Sequence, residues 1–508
     1  MMPLAPRLAQ PRTRRRAWPA LVCAGAFGLC GRAEASEVRV GARTIGEAYV
    51  IVAPGTDEPR LLRRRRLVQY VNLGVYELLP PKQADQWTRE PEDGQLELVA
   101  SMRLRHDFGD YRSGAGSDSS ALLESVDGRQ IDVLYGYLQG RQIGGFVDFR
   151  VGRQFETSGL DWYAFDGGWI RADTPAHLAI EVFGGLQVNG NQLFGWPTVT
   201  LDGTSGSDAD DQATSPMVGA ALSLSGIQWA HARVAYRRTF TPAALNTKLV
   251  ESTGLSDGST QSLASGVDQE LISATVDFNF FDGVFVPSAA MRFNLGTLRV
   301  DDLSVSAALA VSDQHLIRAQ YLRTQPSFDL DSIFNLFTIQ PLEDLRLSYQ
   351  VRAGSDWTLL GRGSLRIFRN EQTERLGVEP ESPLAFGWGA AFAALWQRHR
   401  FALRSDAFVQ GGEGGTQAGG GLDGQVRVAW DRVGIDLRSY FTSYEDDQVE
   451  DRRGYGLSLQ AGTDVQLWKG IHLTLLAEEL FTSYLVHAFR GLAIFSADWS
   501  FRAGRRGS

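Results

Sequence analysis

The chain has 508 residues, 43% hydrophobic, 10% aromatic and 21% charged, with a formal net charge of −9. That apolar content excludes a disordered chain, and a mean hydropathy of −0.17 excludes a bundle of membrane helices. Two cysteines exclude a disulfide-dense scaffold, which leaves a large β-rich soluble protein or a membrane protein whose apolar surface is hidden by alternation.

Arg12, Arg14, Arg15 and Arg16 form a basic start, and AWPALVCAGAFGLCG (17–31) is an apolar run too short to cross a bilayer. With the small-x-small pattern Ala33-Glu34-Ala35, they predict a secretory signal peptide over 1–35. Cys23 and Cys30 both lie inside it, so the expected mature chain offers no disulfide, thiolate nucleophile or cysteine-bound metal. Losing six Arg and one Glu with that segment shifts the charge from −9 to −14. Residues 36–94 are ambiguous. The cluster Arg63 to Arg66 precedes an alternating stretch that stops at Pro80-Pro81, and this reads as a first hairpin or as a periplasmic, plug-like segment.

From 95 onward one texture repeats: about ten residues of alternating character, then a turn. Over 271–280, Ile272, Ala274, Val276, Phe278 and Phe280 share one face, and Ser273, Thr275, Asp277 and Asn279 share the other. The same alternation recurs over 343–353 and 454–467. Soluble strands average about five or six residues, whereas a tilted strand crossing a membrane needs about 9–11. The sequence therefore predicts an all-β, antiparallel transmembrane β-barrel over 95–501, with about twenty strands and eighteen to twenty-two allowed. Short connections (354–355, 397–399, 432, 468–469) and long ones (189–214, 240–269, 370–383) match the periplasmic turns and outer loops of such barrels. The run GGEGGTQAGGG (411–421) reads as a flexible outer loop. In the last segment, 491–501, Ala493, Phe495, Ala497, Trp499 and Phe501 point outward, followed by a tail over 502–508. An aromatic-ended final strand resembles the signal read by the outer-membrane assembly machinery, an expected partner alongside outer-membrane lipid.

If the apolar faces meet lipid, the opposite faces line the lumen. They carry Arg103, Arg105, Arg150, Arg233, Arg237, Arg292, Arg318, Arg346, Arg352, Arg362, Arg366, Arg404, Arg427 and Arg438. Fewer acids fall on them: Glu97, Asp107, Asp148, Glu181, Asp277, Asp406, Asp436 and Asp498. Acid collects instead in connections such as 202–211 and 444–451. A basic lumen beneath acidic loops favours anions, and the guanidinium fork suits carboxylate, sulfate and phosphate. The competing reading is plain pairing: Arg is a habit of this chain, with 47 of its 50 basic residues, and some of these groups would simply knit the wall to nearby carboxylates.

Signals for chemistry are weak. Seven scattered histidines show no metal-ligand spacing. The one GxSxG match, Gly254 to Gly258, sits in a long polar connection without the strand-to-helix turn of a nucleophile elbow. No enzyme, cofactor or metal is expected, and no nucleic acid partner.

The stretch RVGRQFETSGLDWYAFDGGW (150–169) closes one strand in Gly152-Arg153-Gln154 and continues through Phe165-Asp166-Gly167. It resembles the pattern of porin-like and alginate-export-type outer-membrane barrels over some twenty residues. The resemblance implies an integral outer-membrane pore with an arginine-rich lumen for small anions or an acidic exopolysaccharide. It also implies a periplasmic polysaccharide-export partner in the second case, and Arg150 as the motif position in the lumen. A non-conducting adhesive barrel with acidic outer loops and a barrel-embedded hydrolase are the alternatives.

Overall fold

Alternation is the rule that builds the molecule. In a computed structural model, the described residues are 37–53, 60–78, 94–107, 129–158, 160–188, 215–240, 267–325, 342–369, 384–412, 415–429, 431–446, 453–483 and 487–502. They form twenty-two antiparallel strands in one sheet. In chain order these are β1 (Glu37–Ala53), β2 (Arg60–Tyr76), β3 (Gln95–Asp107), β4 (Arg129–Ile143), β5 (Val147–Ser158), β6 (Asp161–Asp173), β7 (Leu178–Gln187), β8 (Pro216–Leu224), β9 (Ala230–Phe240), β10 (Val267–Phe278) and β11 (Phe285–Asn294). The second half comprises β12 (Arg299–Ser312), β13 (His315–Thr324), β14 (Leu342–Ala353), β15 (Trp357–Arg369), β16 (Leu384–Arg398), β17 (Phe401–Gly412), β18 (Thr416–Val428), β19 (Val433–Glu445), β20 (Arg453–Trp468), β21 (Ile471–Thr482) and β22 (Ala488–Arg502).

Each strand pairs with the next, and β22 pairs back onto β1 from Glu37↔Arg502 to Ala48↔Gly491. The sheet is thus closed, which removes the free edges a membrane does not tolerate. The even count leaves both ends of the barrel chain on one side. At that side most connections are short (144–146, 174–177, 313–314, 354–356, 399–400 and 469–470), 77–94 being the longer exception, and the opposite end carries the longest, 108–128, 188–215 and 241–266, beside brief links such as 159–160 and 295–298. Short turns face the periplasm and long loops the exterior.

The outer surface has the form lipid requires. Aromatic side chains cluster near the short turns (Trp229, Phe281, Trp357, Phe401, Trp468, Trp499, Phe501) and again near the other rim (Trp162, Phe386, Trp388, Tyr455, Phe489). On β16, ten residues separate Phe386 from Trp396. At about 3.3 Å per residue and a tilt near 40°, they stand roughly 25 Å apart along the barrel axis, the height of a bilayer-facing band. Between the girdles the outward positions are apolar, as with Leu345, Leu347 and Tyr349 on β14. The chain is an integral protein of the bacterial outer membrane.

Two sequence expectations change. The strand count is twenty-two, because residues 37–76 supply β1 and β2, paired from Glu37↔Tyr76 to Ala53↔Arg60. This first hairpin is part of the barrel wall, so the wall starts at 37. The glycine run 411–421 is mostly strand: only 413–415 connects β17 to β18. Those glycines serve contact. A Cβ on Gly420 would lie 2.6 Å from the Asp406 carbonyl oxygen, and one on Gly419 would lie 2.5 Å from that of Phe441. The predicted signal peptide, the GxSxG stretch and the acidic segment 202–211 lie outside the described residues.

One boundary is incomplete. The β4–β5 ladder runs from Ile143↔Val147 to Gly136↔Arg153 and stops there, although β4 continues up to Arg129 and β5 to Ser158. At the break Gly152 adopts φ +130, where a Cβ would meet the Gly136 carbonyl oxygen at 2.2 Å. Only glycine fits.

Candidate functional site: an arginine wall and a folded-over lobe

The interior divides into two parts. On one side β5 and β10 approach each other across the inside, so β5 to β10 curl into a lobe with its own core. Tyr163, Phe165, Trp169, Phe183 and Met217 fill it, each 9% exposed or less. The Tyr163 and Phe183 rings stack at 5.6 Å.

Arg150, Arg233 and Arg237 in this lobe are all paired with carboxylates. Toward the outer end, Arg237 Nε and Nη2 each donate to Asp161 at 3.1 Å, and the guanidinium lies 4.7 Å from the Tyr163 ring centre. Toward the periplasmic end, Arg233 Nη2 donates to Glu181 at 2.7 Å. The Trp169 indole N–H and the Ser223 hydroxyl donate to the same carboxylate, both at 3.3 Å. Arg150 donates to Glu156 at 2.8 Å and stacks 4.3 Å over Trp169. These groups border a cavity of about 360 Å³ that His231 and Asp277 also line. Arg150, the motif position of the resemblance, therefore sits in the lobe and is pinned by a carboxylate and an indole.

The other part is the larger lumen, and its distinctive surface is the inner face of β13–β15. Cross-strand register sets Arg318 opposite Ser348 and Ser348 opposite Arg362. One step outward, Arg346 faces Gln320 and Ser364; a further step brings Asp344 opposite Arg366. Arg352 faces Thr358 nearer the periplasm. Because inward positions recur every second residue, five guanidiniums rise along three adjacent strands. One carboxylate stands among them: Asp344 accepts from Arg346 at 2.6 Å and lies 3.7 Å from Arg366. Arg318, Arg352 and Arg362 are exposed and make no ion pair among the described residues.

The remaining predicted arginines are dispersed. Arg103 and Arg105 share Asp132, at 2.8 and 3.4 Å. Arg292 pairs with Asp302, Arg404 with Asp406 and Arg438 with Asp423, while Arg427 is exposed near the periplasmic end of β18. The sequence reading missed these inner-face acids (Asp132, Glu156, Asp161, Asp302, Asp344, Asp423). Plain pairing thus accounts for most of the fourteen arginines, and among the described residues the uncompensated excess is concentrated on β13–β15. The histidines stay apart: His315 meets the Tyr349 hydroxyl at 2.6 Å and His487 meets Glu479 at 3.0 Å. Among the described residues no group of three or more His, Cys, Asp or Glu could hold a metal ion.

No family model matches the sequence, and no curated protein matches it. Solved structures of similar fold include OccAB4 of Acinetobacter baumannii, at 6% identity and a TM-score of 0.42, covering 92% of this chain and 98% of that one. A BenF-like porin from Pseudomonas fluorescens shows 9% identity and a TM-score of 0.41, covering 92% and 99%. OccK2 (OpdF) of Pseudomonas aeruginosa, solved in complex with glucuronate, shows 9% identity and 0.38, covering 92% and 98%. At these scores the likeness adds nothing to the geometry above, which stands on its own, and the alginate-export type gains no support from it.

Proposed function

We propose that the chain is a passive outer-membrane pore for small organic anions, moved along the arginine wall of β13–β15. The observation that carries this reading is the set of three exposed guanidiniums, Arg318, Arg352 and Arg362, that make no ion pair among the described residues, with Arg346 and Arg366 beside them over one described carboxylate. A cationic row on a low-dielectric wall raises the local anion concentration. Its planar forks bind carboxylate or phosphate loosely and repeatedly, which passage needs more than tight capture does. The chain needs no covalent step for this. Polymer export would call on the same wall, and nothing in the site favours a polymer over a small anion. The closing strand β22, with Phe495, Trp499 and Phe501 outward, keeps the assembly machinery as the expected partner.

The test is reversal potential in a planar bilayer under a KCl gradient. The wild-type barrel should favour chloride. Changing Arg318, Arg352 and Arg362 together to Glu should move the reversal potential to the potassium side without altering the folded, heat-modifiable band on a gel. A wild-type barrel that is closed or cation-selective would end the proposal.

A further inference from the structure

The cavity between the lobe's aromatic core and its periplasmic rim is the feature the axial path leaves unused. It measures about 360 Å³, and every strand from β5 to β10 contributes to its wall. That volume falls within the range of about 300–1,000 Å³ in which proteins hold small molecules. On the outer side it is stopped by the buried side chains of Tyr163, Phe165, Phe183 and Met217. A dead end retains a ligand and conducts none. On the other side His231 and Asp277 are exposed, one residue from the periplasmic ends of β9 and β10. The turns at this rim, 144–146, 174–177, 225–229 and 279–284, all belong to the described residues.

The charges of the cavity cancel in pairs, with one left over. Arg150 is matched by Glu156 at 2.8 Å, Arg233 by Glu181 at 2.7 Å and Arg171 by Asp173 at 3.0 Å. Asp277 makes no ion pair among the described residues, and the side chains of Asp277, His231 and Thr275 make no hydrogen bond among them. Register sets Asp277 directly opposite His231, and opposed residues hold their Cβ atoms about 4.5–5.5 Å apart. Thr275 shares the inward face of β10, two positions along the strand. A carboxylate, an imidazole nitrogen and a hydroxyl oxygen thus border one space, with the Trp169 indole on the same wall. These are three hydrogen-bond acceptors carrying one surplus negative charge. A primary ammonium has three N–H donors and one positive charge, so it matches both the number and the sign.

We propose that this cup binds a short-chain primary alkylammonium ion from the periplasm. Its head is held by Asp277, His231 and Thr275, and its tail turns toward Trp169. The site requires the folded lobe but not the arginine wall of β13–β15.

The test is a ligand-observed NMR titration of the barrel in nanodiscs with n-butylammonium. Wild-type protein should bind it saturably, and should bind tetramethylammonium, which has the charge but no N–H, at least fivefold more weakly. Asp277→Asn should raise the Kd for n-butylammonium at least tenfold, and Thr275→Val at least threefold. Asp436→Asn, which removes a carboxylate on β19 outside the lobe, should leave it within twofold. The heat-modifiable band on a gel establishes that each variant is folded; if Asp277→Asn does not assemble, Thr275→Val and the ion preference of the wild type decide. Absence of saturable binding to the wild type would overturn the site, as would equal affinity for the two ions. A folded Asp277→Asn or Thr275→Val barrel that binds as wild type would overturn it too.

Discussion

Arginines of similar appearance in the sequence have opposite energetic roles, and burial separates them. Arg233 and Glu181 are largely withdrawn from water, with the Glu181 side chain 3% exposed. Removing Glu181 takes from Arg233 its partner at 2.7 Å and leaves it Glu156 at 3.7 Å, a loss toward the lower end of the about 3–5 kcal/mol that breaking a buried pair costs. Arg362 is exposed and makes no ion pair among the described residues, so its removal strands no described charge. Glu181→Gln should therefore lower the unfolding free energy in lipid vesicles by about 3 kcal/mol, whereas Arg362→Gln should change it by less than about 0.5 kcal/mol, as surface substitutions usually do. Comparable losses for both would mean that the lobe is solvated. This division was not readable from the sequence, because the inward position of a residue follows from alternation but the identity of its neighbour does not. Asp132, Asp302 and Asp423 each sit one strand away from their arginines, and only register, which turn lengths and bulges set, brings them together.

Elements were legible where one face was greasy and the other polar, and illegible where that contrast vanished. β10 and β14 show the contrast: β14 (342–353) follows the alternating stretch 343–353 closely, and β10 (267–278) covers most of 271–280 but begins four residues earlier. β6 carries Trp162 and Ile170 outside but Tyr163, Phe165 and Trp169 inside. With apolar groups on both faces the period-two signal fades along this strand. β18 lost its signal for a different reason: its first six positions, Thr416 to Gly421, are all small or polar, and glycine runs usually mark turns. Here glycine permits close approach. Gly419 leaves room for the Phe408 ring, whose nearest atom would be 2.8 Å from a Cβ, and Phe408 stacks on Tyr440 at 6.4 Å. Gly361 on β15 has nothing within 4 Å. Gly419→Val should sharply reduce the yield of folded barrel, while Gly361→Val should assemble at wild-type yield, since β-branched residues suit strands. The heat-modifiable fraction on a gel reads both, and a well-folded Gly419→Val barrel would show that β17–β19 need no close contact.

At the scale of the molecule, closure and pinching together set the electrical behaviour. Barrel diameter grows roughly linearly with strand number, and twenty-two strands would enclose a space too wide for wall charges to control fully. The contact between β5 and β10 sets the lobe apart and leaves the larger lumen walled by β1–β5 and β10–β22, eighteen strands, about the number at which porins leave an aqueous channel. In such a lumen a guanidinium acts over a Debye length, about 10 Å at 0.1 M salt and about 3 Å at 1 M. The cations of β13–β15 would then dominate the cross-section in dilute salt and little more than their own surface in concentrated salt. The chloride-to-potassium permeability ratio of the wild-type barrel should accordingly fall severalfold as mean KCl rises from 0.1 M to 1 M, with the largest change lost in the triple Glu variant. A ratio independent of salt would show that a narrow constriction, and not the charge of this wall, selects what passes.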